Sequence, residues 1–204
     1  MNEQALRETL TTLLRLFYAK DWVSGTGGGI CAMAGPGRLL VAPTGVHKEM
    51  VEPADLFAID PATCGVIDAA ANAALKPSEC SPIFAAIVRK RGAGSVVHSH
   101  ALDAVLVADL APGDVLSIRR FEMLKGLKGV GNADDHAVPV IDNTEREPEL
   151  TGAVEAALKD PRFAKAHAIL VRDHGAYIWG EDVWEAKRHT EVYHFLFEGT
   201  WTRR

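Results

Sequence analysis

The run AILVRDHGAYIWG, residues 168–180, holds two apolar stretches separated only by Arg172-Asp173-His174-Gly175. So short a spacer cannot contain a helix, and a parallel pair needs a crossover of about a dozen residues or more, so the run predicts two adjacent antiparallel strands. ICAM and RLLVA, split by Gly35-Pro36-Gly37, read as a second hairpin. Strands that follow one another without an intervening helix argue against a purely parallel, doubly wound sheet. A central mixed, largely antiparallel sheet covered by helices is expected.

Working outward, Leu6, Leu10, Leu13, Leu14 and Phe17 recur at three- and four-residue steps and predict an amphipathic helix over 3–20. FAID reads as a strand, and residues 61–77 as a poorly patterned connection with room for one more. SPIFAAIVRKR reads as a helix with Ser81 as N-cap and Pro82 in its first turn. SVVHSH is then a buried strand, ALDAVLVADL a helix, VLSIRRFEML and AVPVID strands, PELTGAVEAALKD a helix, and 182–201 a closing helix. With no repeat or linker in view, residues 1–204 are expected to form one domain.

The chain has 204 residues, 48 % hydrophobic and 24 % charged, enough for one sizeable core and against disorder. A net charge of −5 and no basic run longer than Arg89-Lys90-Arg91 argue against nucleic acid as a partner. The polar start MNEQALRETL and the lack of a long apolar run point to no membrane association and a cytoplasmic location. Cys31, Cys64 and Cys80 share no C-x-x-C spacing, so reduced thiols are expected.

In WVSGTGGGICAM, residues 22–33, the glycines suggest a nucleotide loop, but Ile30 stands where the last glycine of G-x-G-x-x-G belongs, and no Gly-Lys-Ser/Thr follows. A loop whose bare amides face a single phosphate remains, near Pro43-Thr44-Gly45 in space. His98-Ser99-His100 ends a strand, and residues two apart share a face, so the two imidazoles converge. A divalent metal or a polar strand end both explain such a pair. A metal needs a third ligand. His174, on a tight turn beside a buried-looking strand, is the best candidate, whereas His189 and His194 read as solvated or capping, His136 and His167 as surface or strand-edge positions, and His47 as an exposed loop residue.

Abstraction of a C–H proton also needs a base. Glu122, between Phe121 and Met123 in an apparent strand, competes here with Glu79, which has a bland place just before a helix. Cys80 precedes that helix, where a thiol is either activated by the helix N-terminus or buried and inert.

In order along the chain stand WVSGTGGGI, VAPTGVHKE, KPSECSPIF, GAGSVVHSHA, FEMLKG, VPVIDNT, LVRDHGAYIWG and EVYHFLFE. In this ordered set the sequence resembles the class II aldolase and adducin-head superfamily, and within it the sugar-phosphate dehydratases. The resemblance implies a three-layer α/β/α fold and a cyclic homotetramer with sites between subunits. It implies one zinc ion per subunit on His98, His100 and His174, Glu122 as general acid/base, and Cys80 in contact with substrate. The implied reaction is loss of water from a methylthio-substituted ribulose phosphate of methionine salvage. Aldolases of the superfamily carry a glutamate before the H-x-H strand. Counting back from His98 gives Glu79 for that position, and counting forward from Lys76-Pro77-Ser78 gives Cys80. Cys80 and FEMLKG favour the dehydratase, while Glu79 keeps open an aldolase or epimerase on a fuculose- or ribulose-phosphate substrate. A non-catalytic, adducin-like scaffold is the third reading. For the phosphate, the amides of Gly27 and Gly28, Thr44, Gly45, Ser78 and Lys125 or Lys48 form the expected clamp.

Overall fold

In the computed structural model, which describes residues 1–203, the apolar stripe at the start folds into α1 (Glu3–Tyr18), capped by Asn2, whose side chain accepts from Ala5 N–H. The chain continues through β1 (Gly29–Gly35), β2 (Arg38–Val41), β3 (Phe57–Ile59), β4 (Val66–Asp68), α2 (Ser81–Arg91), β5 (Ser95–Ser99) and α3 (Leu102–Ala108). It ends with β6 (Val115–Ile118), β7 (His136–Ile141), α4 (Thr151–Lys159), β8 (Ala168–Val171), β9 (Gly175–Gly180) and α5 (Val183–Thr202). Among the described residues these strands form one sheet in the order β4-β3-β2-β1-β5-β9-β8-β7-β6. Every neighbouring pair is antiparallel except β7 and β8, which α4 connects as the crossover a parallel pair requires.

Period-two alternation sorts the strands into two apolar faces. Val96, Ile169, Val171, Tyr177 and Trp179 pack with Ile83, Phe84 and Ile87 of α2 and Val154 and Leu158 of α4. On the other face, Ile30, Leu40 and Val97 meet α1, and Val138, Leu170 and Ile178 meet α3 and α5. The result is the three-layer α/β/α arrangement with a mixed, largely antiparallel sheet, and His98 falls on the α2/α4 face because it is two residues from Val96.

Several local expectations are corrected. The strand read into VLSIRRFEML stops at Ile118, and Glu122–Gly126 winds into a 3-10 helix, so Glu122 does not lie in a strand. Cys80, not Ser81, stands at the cap position of α2, and Ser81 Oγ donates to Ser78 O at 2.6 Å. The unplaced strand of 61–77 is β4, exposed along its length at the sheet edge. His136, His189 and His194 are buried, not superficial. Each finds a partner that a buried imidazole needs: Tyr193 Oη for His136, Trp179 O for His189, and the Asp103 carboxylate for His194.

Candidate metal centre

β5 ends where the β8–β9 hairpin turns, and one glycine makes that approach possible. Gly175 has φ +154°, and a β-carbon there would lie 2.0 Å from Ser99 O. With Asp173 at φ +53°, the turn presents His174 to the end of β5. His98 and His100 project from that end toward it, the His98 ring lying flat on Tyr177 at 4.0 Å between centroids. Their Nε2 atoms gather: His98 to His100 is 2.8 Å, and His100 to His174 is 3.1 Å.

The other ring nitrogens determine what this cluster is. His98 Nδ1 faces Ala176 O at 3.1 Å, and a carbonyl only accepts, so the proton sits on Nδ1. His174 Nδ1 faces Asn143 Oδ1 at 3.0 Å, an oxygen that also accepts from Thr144 N–H. In the neutral form of each ring, Nε2 then carries a bare lone pair, and the two aim at a common point. Burial, followed by the neighbouring His98 and His174, pushes the His100 pKa down to about 3, so this ring stays neutral. Converging lone pairs repel one another unless a cation lies between them, and anchoring of the second ring nitrogen is how histidine ligands are oriented. Four donors around a divalent ion at ~2.0–2.1 Å stand about 3.3 Å apart, close to the spacing here. The residues present fit a metal.

The fourth donor was not foreseen. Glu147 opens the 3-10 helix Glu147–Leu150 before α4. Its Oε1 lies 2.8 Å from His98 Nε2 and 3.2 Å from His174 Nε2, so that His98, His100, Glu147 and His174 form one group of potential ligands. Tyr177 Oη donates to Oε1 at 3.1 Å, and Cys80 Sγ donates to Oε2 at 2.6 Å. Burial raises the Glu147 pKa, but contacts with His174, His98 and Cys80 more than offset it, and the carboxyl is held well below its ordinary range. For Cys80 the outcome is the reverse of activation at a helix N-terminus: burial first, then the Glu147 charge, push the thiol up. Topology brings these groups together. Cys80 and Glu147 lead into the two helices that cover the His98 face, and Asn143 and Glu147 follow the C-terminal end of β7 as His174 follows that of β8. Nothing in EREPEL separates Glu147 from Glu145 or Glu149 in the sequence. The available signal was a carboxylate just ahead of a Pro-started crossover helix, where parallel strands end.

The remaining predicted residues divide into two groups. Gly27 lies against the His100 ring, where a β-carbon would come within 2.4 Å of Nδ1, and Gly28 (φ +69°) lies against His98 O. The buried Lys48 donates to Thr26 O at 2.7 Å and Val46 O at 3.1 Å, joining this loop to the one carrying Thr44 and Gly45. That loop is tied in turn to the next through Thr44 N–H and Lys76 O, and there Ser78 Oγ accepts from Cys80 N–H. Glu122 and Lys125 stand apart. Glu122 is exposed, with 72 % of its side chain accessible, and its partners are Lys125 and Asn132, not the histidines of its own chain. Glu79 is exposed as well.

A sheet of this topology with three histidines gathered at its strand ends defines an α/β protein with a candidate metal site, and sequence comparison supplies the family. The model of the Class II Aldolase and Adducin N-terminal domain matches residues 8–201, and the chain belongs to that family. Among curated relatives, the methylthioribulose-1-phosphate dehydratase of Gallus gallus is 37 % identical, over 94 % of this chain and 81 % of its own length. That of Osmerus mordax is 38 % identical with the same coverage. The probable bifunctional methylthioribulose-1-phosphate dehydratase/enolase-phosphatase E1 1 of Vitis vinifera is 38 % identical, and the chain spans 39 % of its length. In fold, YgbL of Klebsiella pneumoniae superposes with a TM-score of 0.81 at 22 % identity, over 99 % of this chain and 91 % of that one. An L-fuculose 1-phosphate aldolase gives 0.78 at 16 %, over 97 % and 85 %.

Proposed function

We propose that this chain is a zinc-dependent hydro-lyase that converts 5-methylthioribulose 1-phosphate to 5-methylthio-2,3-dioxopentyl phosphate in methionine salvage. The observation that carries the reading is the convergence of three Nε2 atoms, with the opposite nitrogens of His98 and His174 fixed by Ala176 O and Asn143 Oδ1. The dehydratase names of the relatives direct it to this substrate. His98, His100 and His174 would hold the metal. A zinc ion held there would supply the Lewis acidity that makes the substrate's C3 proton removable.

Glu122 takes that proton. Lysine and asparagine neighbours hold its carboxyl below the usual range, so it is ionised and able to accept. The C4 hydroxyl departs as water with the proton returned by Glu122, and the resulting enol tautomerises to the diketone. Because Glu122 is remote from the histidines of its own chain, it serves the metal face of an adjoining subunit in a homotetramer. Exposed apolar side chains beside both groups, Leu102 after the H-x-H strand and Met123 after Glu122, support such packing. The loops around Gly27, Gly28, Thr44, Gly45 and Ser78, with Lys125 from the neighbour, receive the phosphate, and Cys80 lines the substrate side. A cytoplasmic location is part of this proposal; among the described residues no helix is long and apolar enough to cross a membrane.

The test is incubation of zinc-loaded protein with 5-methylthioribulose 1-phosphate, followed by mass spectrometry. Loss of one water with the carbon chain intact is expected. A triose phosphate plus an aldehyde would make the protein an aldolase, and an unchanged substrate would refute catalysis.

A further inference from the structure

Glu122 is held at both carboxylate oxygens by its own stretch of chain: Lys125 Nζ donates to Oε1 at 2.6 Å, and Asn132 Nδ2 donates to Oε2 at 2.7 Å. Residues 122–132 thus close on themselves, and the direction of the carboxylate depends on what ties the middle of this loop to the body of the protein. Lys128 is where the tie is made. Its backbone N–H donates to His189 Nε2 at 3.2 Å, and its carbonyl faces His167 Nε2 at 2.9 Å. One ring comes from α5 and the other from just ahead of β8, so two elements grip both polar groups of one exposed residue. His189 can accept here only as one neutral tautomer. Its Nδ1 faces Trp179 O at 2.7 Å and must donate, which leaves Nε2 bare for the Lys128 N–H. The ring is wholly buried, and burial pushes its pKa down to about 4. His167 takes the complementary part, with its proton on Nε2, and its own backbone N–H is fixed by the buried Tyr193 Oη at 3.0 Å.

We propose that His189 and His167 are positioning residues for the reaction, clasping the N–H and C=O of Lys128 so that the loop aims the Glu122 carboxylate. This rests on the reading of Glu122 as the base that takes the substrate proton. Neither histidine touches the reacting atoms, and neither belongs to the metal centre. A base displaced by about an ångström slows the proton transfer by up to about 100-fold, while the groups that hold metal and phosphate stay where they were. The loss therefore belongs in kcat, with KM and metal content unchanged.

The experiment compares zinc-loaded wild type with His189→Asn, whose amide keeps a donor for Trp179 O but falls short of Lys128, and with His189→Gln, which restores an acceptor near the place of Nε2. The readouts are kcat and KM on 5-methylthioribulose 1-phosphate, zinc content, and amide hydrogen exchange of peptides covering 122–132. His189→Asn is expected to lower kcat by about 10- to 100-fold, to leave KM and zinc content as in wild type, and to speed exchange across 122–132. His189→Gln is expected to recover most of the loss. In a Glu122→Gln background, His189→Asn is expected to cost nothing further, because the carboxylate it aims is gone. Wild-type kcat or unchanged exchange in His189→Asn would overturn the proposal, as would the same fold-loss with and without Glu122. If His189→Asn does not fold, His167→Asn, at a half-buried position and lacking the donor to the Lys128 carbonyl, carries the same comparisons. Near-normal turnover of Glu122→Gln alone would refute the base and with it this proposal, a failure distinct from the others.

Discussion

His98 has no exposed surface, its Nδ1 is committed to Ala176 O, and its ring is stacked on Tyr177, so its remaining nitrogen has one place to point. Such a residue is placed to serve as a ligand. His98→Ala is expected to lose metal and activity together, with affinity down by more than about 100-fold. Stoichiometric zinc in the purified variant would contradict the assignment. Glu122 belongs to the opposite category, an exposed carboxylate with no metal in reach of its own chain. Glu122→Gln is therefore expected to leave zinc content and melting temperature unchanged while turnover falls by roughly 10²–10⁴. Near-normal turnover would remove it from the proton transfer. The two variants separate holding the metal from moving the proton.

At the scale of elements, the site depends on how closely β9 approaches β5. Gly175 permits that approach, since both its φ and the 2.0 Å distance to Ser99 O exclude a side chain. Gly175→Ala is expected to cost on the order of 2–3 kcal/mol and to weaken metal binding, because the turn carrying His174 must retreat. Gly113 has nothing within 4 Å of its hypothetical β-carbon, so Gly113→Ala is the matched control and is expected to change neither quantity. Equal melting temperatures and metal affinities in the two variants would show that the junction tolerates displacement.

For the whole molecule, buried neutral histidines away from the site link stability to pH. Burial, then His167, pushes the His136 pKa down to about 4, and burial does the same for His189. In both the depressed form is the charged one. As pH falls below the ordinary value near 6.5, the unfolded chain takes up protons that the folded chain refuses until about 4. Stability is therefore full above that window and declines within it, by about 1.4 kcal/mol per pH unit for each fully differing group. Urea midpoints of chelator-treated protein should fall as pH is lowered from 6.5 toward 4, with His136→Gln flattening the slope. A constant midpoint would contradict the account. Working on metal-free protein keeps loss of the ion at acid pH out of the measurement.

The local sequence determined whatever depends on spacing along the chain. The short RDHG spacer dictated antiparallel neighbours, the stripe from Leu6 to Phe17 dictated α1, and the two-residue step of His98 and His100 dictated a shared face. His174 was legible because a tight turn after an apolar strand leaves its side chain at a sheet end. Only tertiary structure decided that Glu147 joins the histidines, that Glu122 does not do so within its own chain, and that His136, His189 and His194 lie inside. The physical reason is that periodicity records which way a residue faces, whereas its neighbours across the sheet are chosen by a crossover and by helix packing. Those contacts join positions as far apart as Cys80 and Glu147, and no local pattern in either segment encodes the other.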